Sequence, residues 1–437
     1  MRELKFSILV PHPYLCPHDP IYALCNDNGL TVLLHRDEST PLVVVNMLYK
    51  VGSKHESIRK TGLAHLFEHL MFTGTEAVPD FDLPIQRAGG ENNAFTSNDI
   101  TNYYSWAPSD NLEALLFMEA DRMARLSLDN EEFEIQKNVV VEEFYETTID
   151  EPYGDMWHLI SGMAYHRHPY RWPVIGKRPE DIRKVSHLDA AKFYRHHYYP
   201  QNAILVVSGN FKEERARKLI KKHFGTLINP DPHSDSIPKE GVQRKQRRMT
   251  VHRKVLVQAL YMAFHIPARY DKDFYACDIL SDLLASGRSA RLYEILVRQK
   301  KLFTAIDAYT NGTSDEGLLI IDGRLSEGVT PEEGEAAVWE ILEELVIKPV
   351  EERELQKVIN KCITTLVFSE YNATNIAMNL AYFESIGNAD LINSEFEIYQ
   401  QLTVRDIRRA AEKVFRKSNS SILYYLSANG HGANLVH

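Results

Sequence analysis

The chain has 437 residues, 44% of them hydrophobic and 25% charged, with a formal net charge of -10, so it holds apolar material for more than one core. An acidic balance of this size argues against a nucleic-acid surface, and the basic clusters at 212–222 and 244–254 are interrupted by acids or apolar residues and read as solvated faces. No apolar run approaches the ~18 to 20 residues needed to cross a bilayer, so no membrane span is expected.

At the N-terminus, residues 6–10 are too short for a signal-peptide core and are followed by Pro11 and Pro13, which makes a cytoplasmic location the default expectation. The cysteines Cys16, Cys25, Cys277 and Cys362 form no Cys-x-x-Cys pair and read as small core residues in a reducing compartment.

From residue 23 the pattern alternates strands and turns, with a turn at 26–29, a strand at 30–35 and an apolar, β-branched strand at 42–51. Next comes Leu63-Ala64-His65-Leu66-Phe67-Glu68-His69-Leu70-Met71-Phe72. Its apolar residues recur at the three- and four-residue intervals of a buried helix, yet three polar groups sit among them. On a helix His65 and His69 lie one turn apart on one face with Glu68 beside them. This His-x-x-Glu-His arrangement is that of an inverted zinc-peptidase site. Zinc accepts neutral imidazoles, and a catalytic site keeps three protein ligands with an open fourth position. A third donor is therefore required, while Glu68 is placed to act as general base.

A loop at 73–79, a short helix at 82–88 and the Gly89-Gly90 turn lead into 93–97, which pairs with 101–106 as a hairpin. Ser109 is expected to cap a helix at 111–126. Asn130 opens another at 131–147, with Phe133, Val140, Val141 and Phe144 on its packed side. Glu143 is the candidate third ligand, and Glu142 and Glu146 are its competitors on the same helix. Helices follow at 155–164, 179–198 and 211–224, with a strand at 203–208. The polar, proline-bearing stretch around 230–248 reads as a linker between domains at 1–229 and 249–437.

Beyond the linker the order repeats, with strands at 249–251 and 257–265 and a helix at 274–285. Setting 64–74 against 277–287 matches the apolar positions and puts Asp278, Ser281 and Asp282 where the first copy has His65, Glu68 and His69. Setting 134–137 against 354–357 puts Ile363 at the place of Glu143. The second copy has lost His65, Glu68, His69 and Glu143 together, as expected of one functional unit and not of four structural residues.

With these residues in view, the chain resembles the pitrilysin, insulinase and mitochondrial processing peptidase family. The likeness runs through His65-Leu66-Phe67-Glu68-His69, the acid in Val139-Val140-Val141-Glu142-Glu143, the hairpin Gly90-Glu91-Asn92-Asn93-Ala94-Phe95-Thr96, and Arg288-Ser289-Ala290-Arg291-Leu292-Tyr293. The resemblance implies an α+β fold of two homologous domains, each a mostly antiparallel sheet with helices on one face, related by internal duplication. It implies a zinc metalloendopeptidase with one Zn2+ per chain, held by His65, His69 and Glu143, with Glu68 catalytic. It further implies that extended peptide adds as a strand beside Asn93, Ala94, Phe95 and Thr96, inside a chamber that a second chain completes, and that Arg298 helps hold the substrate. The alternative on the same fold is a non-catalytic scaffold subunit. Two positions depart from the family pattern. Gln136 stands where a glutamate often precedes the third ligand by seven residues, and Ala305 stands where a tyrosine stabilises substrate. The second departure leads to the expectation of a heterodimer with a related metal-free subunit over a homodimer.

Overall fold

The structure is a computed structural model, and it describes residues 22–25, 27–230 and 236–428. Residues 6–13, Cys16 and the middle of the expected linker lie outside them. The strands in chain order are β1 (Tyr22–Cys25), β2 (Thr31–Arg36), β3 (Leu42–Tyr49), β4 (Glu91–Thr96), β5 (Thr101–Pro108), β6 (Ala203–Gly209), β7 (Arg247–Arg253), β8 (Ala259–Ile266), β9 (Phe303–Asn311), β10 (Gly317–Leu325) and β11 (Ser420–Ser427). The helices are α1 (Leu63–Leu70), α2 (Asp82–Arg87), α3 (Leu112–Arg125), α4 (Asn130–Phe144), α5 (Met156–Ala164), α6 (Pro179–Arg183), α7 (His187–His197), α8 (Glu213–Phe224), α9 (Lys272–Ala285), α10 (Pro331–Ile347), α11 (Glu352–Ser369), α12 (Ala373–Ser385), α13 (Leu391–Gln400) and α14 (Val404–Val414).

The first sheet runs β1-β2-β6-β3-β5-β4 and the second β7-β11-β8-β10-β9. The pairs β2/β6 and β7/β11 are parallel, and the other neighbours are antiparallel. Taken as five consecutive strands each, β2 to β6 and β7 to β11 have the same winding and the same strand senses. The internal repeat expected from the sequence is thus present in the topology, and the fold is α+β. Central strands such as β6, a run of buried residues, need apolar cover on both faces.

That cover explains a departure from the expected domain organisation. Unit 1 runs to Phe144 and adds Pro173–Ile237 and Thr365–Glu395, while unit 2 holds Tyr145–Trp172, Pro238–Thr364 and the chain from Phe396. The change at Ile237/Pro238 falls inside the 230–248 stretch, but no single boundary describes the chain. In unit 1, Ile376, Ala377, Leu380, Ala381 and Phe383 of α12 pack with Leu33, Val44, Leu48, Ile204 and Val206 of the first sheet. In unit 2, Met156, Ile160 and Met163 of α5 pack with Tyr261, Ala263, Leu423 and Tyr425 of the second. Each repeat contributes one helix to the core of the other.

Three local expectations also shift. Ser109 opens a 3-10 turn, and α3 starts at Leu112 behind an Asn111 whose side chain makes no capping bond. The helix expected at 131–147 keeps α geometry to Phe144 and then passes into a π-helical turn, Tyr145–Asp150. The helix expected at 179–198 is broken between α6 and α7, because Ser186 and Asp189 form a capping box that starts a new helix. Cys277 is buried and Cys362 half-buried, and neither is joined in a disulfide.

Within unit 1, Arg122 of α3 is 1% exposed. Its guanidinium bonds both oxygens of buried Glu119 at 3.0 and 2.6 Å and lies over the rings of Phe72, Phe81 and Tyr103. Removing one member of a buried ion pair strands the other charge, whereas replacing both by apolar groups is often neutral. Arg122→Leu is therefore expected to destabilise unit 1 by about 3–5 kcal/mol, and Arg122→Leu with Glu119→Leu by much less. Urea unfolding of the two variants checks this, and equal losses would contradict it.

Candidate metal centre

Helix α1 divides its residues by environment. Leu63, Ala64, Leu66, Phe67 and Leu70 are buried, while His65, Glu68 and His69, at i, i+3 and i+4, are half-buried along the remaining side. The Phe67 ring packs against Phe193, Tyr194 and Tyr198 at the end of α7, and the Tyr103 hydroxyl of β5 donates to the Phe67 carbonyl at 3.3 Å. The helix is thereby fixed from its apolar side, and its polar side faces α4 and β4.

Its N-terminus is held from outside the helix. The cap residue is Gly62, with φ 88° and no side chain to offer. A Cβ at that position would stand 2.9 Å from both the Ile175 carbonyl oxygen and Ile182 Cγ1. The usual Ser, Thr or Asp cap therefore cannot fit. Glu56, 7% exposed, takes over. Its two carboxylate oxygens accept from the Gly62 and Ala64 amides at 2.9 and 2.8 Å, satisfying two of the helix's orphan donors and placing an anion at the positive end of its dipole. The sequence reading missed Glu56. A glycine directly before a helix without a capping side chain was the available sign.

Helix α4 buries Phe133, Val140, Val141 and Phe144, which turns Glu143 toward α1. Its Oε1 lies 3.7 Å from His65 Nε2 and its Oε2 lies 3.5 Å from His69 Nε2. Glu142 and Glu146 are exposed, so the helix phase brings Glu143 to the histidines and leaves its competitors outside. One donor atom from each of His65, His69 and Glu143 falls within 4.8 Å of the others, the one such cluster of His, Cys, Asp and Glu among the described residues. Donors bound ~2.0–2.1 Å from one tetrahedral zinc ion sit about 3.4 Å apart. The spacing and the donor chemistry both fit zinc.

Burial also sets protonation. It pushes the His65 imidazole down to about 4, with Glu143 opposing the shift and His69 adding to it, so His65 is the neutral base that a metal requires. The His69 contact, opposed by partial burial and aided by His65, holds the Glu143 carboxyl below its ordinary range. Partial burial raises the Glu68 carboxyl, against the lowering effects of Thr96 and His69, and this moves it toward the range of a working proton acceptor. The Thr96 hydroxyl donates to Glu68 Oε2 at 2.6 Å.

Thr96 belongs to β4, an edge strand that among the described residues pairs only with β5. Its hairpin turn is locked to the approach of α1: the Ser53 and Lys54 amides donate to the Ser97 and Asn98 carbonyls, Lys54 pairs with Asp99 at 2.8 Å, and a Cβ on Gly52 would lie 2.4 Å from the Ser97 oxygen. Along β4 the Phe95 ring is 40% exposed, and Asn93 Oδ1 accepts from the Ala94 amide at 2.7 Å. Arg298 is in unit 2, on the π-helical turn Tyr293–Gln299, and its guanidinium is engaged by Glu294 at 2.8 Å. Ala305 lies opposite Arg324 in the β9/β10 pairing. Gln136 lies on α4, where its Nε2 donates to Glu132 Oε1 at 2.8 Å, a pairing the sequence reading did not anticipate.

Among the described residues, the first copy of the repeated α+β unit gathers a cluster of candidate metal donors and the second does not. Comparison with known proteins gives the family. The profile of Insulinase (Peptidase family M16) matches residues 31–170, and that of the Peptidase M16 inactive domain matches residues 184–362. The zinc protease PqqE of Helicobacter pylori is 30% identical over 417 residues, spanning 94% of this chain and 93% of that protein. An uncharacterised zinc protease of Bacillus subtilis, YmxG, is 27% identical over 314 residues, 68% of this chain and 71% of its own. The crystal structure of a protease from Helicobacter pylori superposes with a TM-score of 0.87 at 30% identity, covering 93% of this chain and 99% of that one. Pitrilysin shares the fold at a TM-score of 0.78 and 18% identity, with 97% of this chain covering 47% of pitrilysin. The chain belongs to peptidase family M16, the insulinase and pitrilysin family.

Glu56→Ala leaves two amides at the start of α1 without an acceptor, at about 1–3 kcal/mol for a buried unsatisfied group. The expected result is a lower melting temperature together with weaker zinc retention on dialysis, and the same direction for Gly62→Ala. Unchanged zinc retention in both variants would mean that α1 needs neither device to hold its ligands in place.

Proposed function

We propose that the chain is a zinc metalloendopeptidase acting in the cytoplasm on extended or unfolded peptides. The observation that carries this reading is the convergence of His65 Nε2, His69 Nε2 and Glu143 at 3.5 to 3.7 Å beside a half-buried Glu68. His65, His69 and Glu143 would hold one zinc ion. Zinc bound there would supply a Lewis acid that polarises the scissile carbonyl and acidifies water. Glu68, oriented by Thr96, takes the proton of the attacking water and returns it to the departing amine. The edge of β4 receives the peptide by main-chain hydrogen bonds, which demand little of its sequence. Asn93, whose side chain occupies the Ala94 amide, yields that donor to the incoming strand. Phe95 contributes an exposed ring beside the incoming strand, and Arg298 remains the second repeat's candidate for holding substrate.

Both relatives, PqqE and YmxG, are named as zinc proteases, which supports the chemistry. The intact donor set weighs against a non-catalytic scaffold subunit. Digestion of casein with and without a chelator separates a peptidase from both that reading and a hydrolase of other substrates.

Glu68→Gln is expected to retain zinc and lose activity by ~10²-fold or more, while His65→Ala, His69→Ala and Glu143→Gln lose the metal. Glu142→Gln is the control, since that carboxylate is exposed. Metal analysis beside the peptidase assay checks all five, and zinc loss in Glu68→Gln equal to that in His69→Ala would refute the division of roles.

We also propose that the active form is a heterodimer with a related subunit lacking the metal ligands. Ala305 cannot donate the hydrogen bond of the tyrosine expected there, and one missing oxyanion donor lowers turnover by ~10² to 10³. Mass spectrometry of the natively purified complex is expected to find two related polypeptides. A fully active homodimer would overturn the proposal, with Tyr309, which lies opposite Ile320 on β10, as the alternative donor for Tyr309→Phe to test.

A further inference from the structure

Unit 2 holds a cavity of about 540 Å³ bounded by the end of β8, the end of α14, the turn before β10 and the segment 239–243. Among its lining residues, Gln243 is 6% exposed and His168 2%. Gln243 Oε1, His168 Nε2 and His265 Nδ1 are all buried without a hydrogen bond among the described residues, a costly state for polar atoms unless something else occupies the space.

The bonds these side chains do make show what each can still offer. Gln243 Nε2 donates to the Lys245 and Ser420 carbonyls at 3.1 and 2.8 Å, so Oε1 is a free acceptor. His265 Nε2 lies 2.9 Å from the Ala164 carbonyl and carries the proton there. Burial, opposed by that bond, holds the His265 imidazole below its ordinary value, and Nδ1 is left as a lone pair. His168 Nδ1 accepts from the Tyr170 amide at 3.2 Å, which turns its Nε2 to Asp315 Oδ2 at 3.3 Å.

Glu240 adds a charged acceptor. Its Oε2 alone receives the amides of His166, Arg167 and His168 at 3.0, 2.7 and 3.0 Å. Against the effect of burial, these amides hold the carboxyl below its ordinary range and fix its position, and Oε1 is left over. Burial and the charges of Glu240 and Asp315 raise the Glu316 carboxyl, the mark of a negative potential at this end of the cavity. Of the lysines and arginine in the lining, Lys413 is paired with Asp273 at 2.6 Å, while Lys239 and Arg416 are exposed.

The unmet demand is for a donor that carries positive charge. A bare metal ion does not fit, because no three His, Cys, Asp or Glu donors here come within 4.8 Å of one another. A guanidinium is a planar fork suited to the paired oxygens of one carboxylate, whereas these acceptors are single atoms on separate residues. An ammonium group has three donors and no acceptor. We propose that the cavity binds a primary aliphatic amine, whose ammonium donates to Gln243 Oε1, His265 Nδ1 and Glu240 Oε1 and whose hydrocarbon chain lies along Ile266, Ala410 and Val414. The exposed Glu316 carboxylate draws the cation in. The site is built from unit 2 alone and does not depend on the reading of the chain as a peptidase.

Calorimetric titration of the zinc-loaded full chain with hexylamine and with hexanol, its neutral counterpart, tests the proposal. The amine is expected to bind about tenfold or more tightly than the alcohol, and with the same affinity after a chelator is added, which separates this site from amine held by zinc. Glu240→Gln and Glu316→Gln are both expected to weaken the amine and leave the alcohol unchanged, and Glu316, being exposed, can be replaced without risk to the core. In a crystal of the chain soaked with hexylamine, the amine nitrogen is expected within hydrogen-bond distance of Gln243 Oε1 and His265 Nδ1. Equal affinity for amine and alcohol, loss of amine binding on chelation, an amine affinity untouched in Glu316→Gln, or a soaked cavity that holds water alone would overturn the assignment.

Discussion

Helix α1 has eight residues, just over two turns, with which to fill part of a core and carry three polar groups. A helix this short is not stable by itself, so its position is imposed by its surroundings. Glu56 secures the first turn, the Tyr103 hydroxyl reaches a carbonyl in its middle, and the aromatic rings at the end of α7 press on Phe67. Behind these, the Glu119–Arg122 pair and the rings around it keep Tyr103 in place. The polar side of the helix is then in a fixed position relative to α4 and β4, and the arrangement of His65, His69 and Glu143 follows from the backbone.

The second repeat indicates which parts of this arrangement belong to the fold. There too an edge strand is tied to the preceding helix by a threonine: Thr310 of β9 donates to Asp278 of α9 at 2.7 Å, as Thr96 of β4 does to Glu68 of α1. Asp278 also accepts from the Tyr399 hydroxyl at 2.7 Å, so both of its oxygens are committed within the protein. The edge strands share a further device, with Asp307 accepting from the Ala308 amide as Asn93 does from Ala94. Each quiets one donor of an exposed edge, which would otherwise invite unwanted strand pairing. What distinguishes the first repeat is the imidazole pair and the carboxylate that α4 brings to it.

The spacing of His65, Glu68 and His69 among apolar residues made the ligand helix legible, because burial and helical period act on neighbours in sequence. That α4 turns Glu143 toward the histidines and leaves Glu142 and Glu146 outside was legible for the same reason, since the packed side Phe133, Val140 and Phe144 fixes the phase of α4. The doubling of the fold could be read because the two copies keep their apolar positions. Glu56 escaped notice because its contact depends on a left-handed turn at Gly62 that brings a residue outside the helix back onto its end. The exchange of α5 and α12 was hidden because an amphipathic helix has the same pattern whichever sheet it covers. Arg298 matched in sequence, and its pairing with Glu294 is an i,i+4 contact of one helix face.

The exchanged helices bear on when this chain can complete its first core. The face of the first sheet formed by Leu33, Val44, Leu48, Ile204 and Val206 is closed by residues 376–383, synthesised some 170 residues after β6. At ~5–20 residues per second of synthesis, that face waits on the order of 10–30 s on the ribosome for its cover. Until then the ligand helix has its own neighbours but stands on a sheet missing one layer. Synthesis order thereby delays the finished site until most of the chain is made, and a chain truncated after the first repeat would carry the ligand motif without the core that gives it a fixed shape.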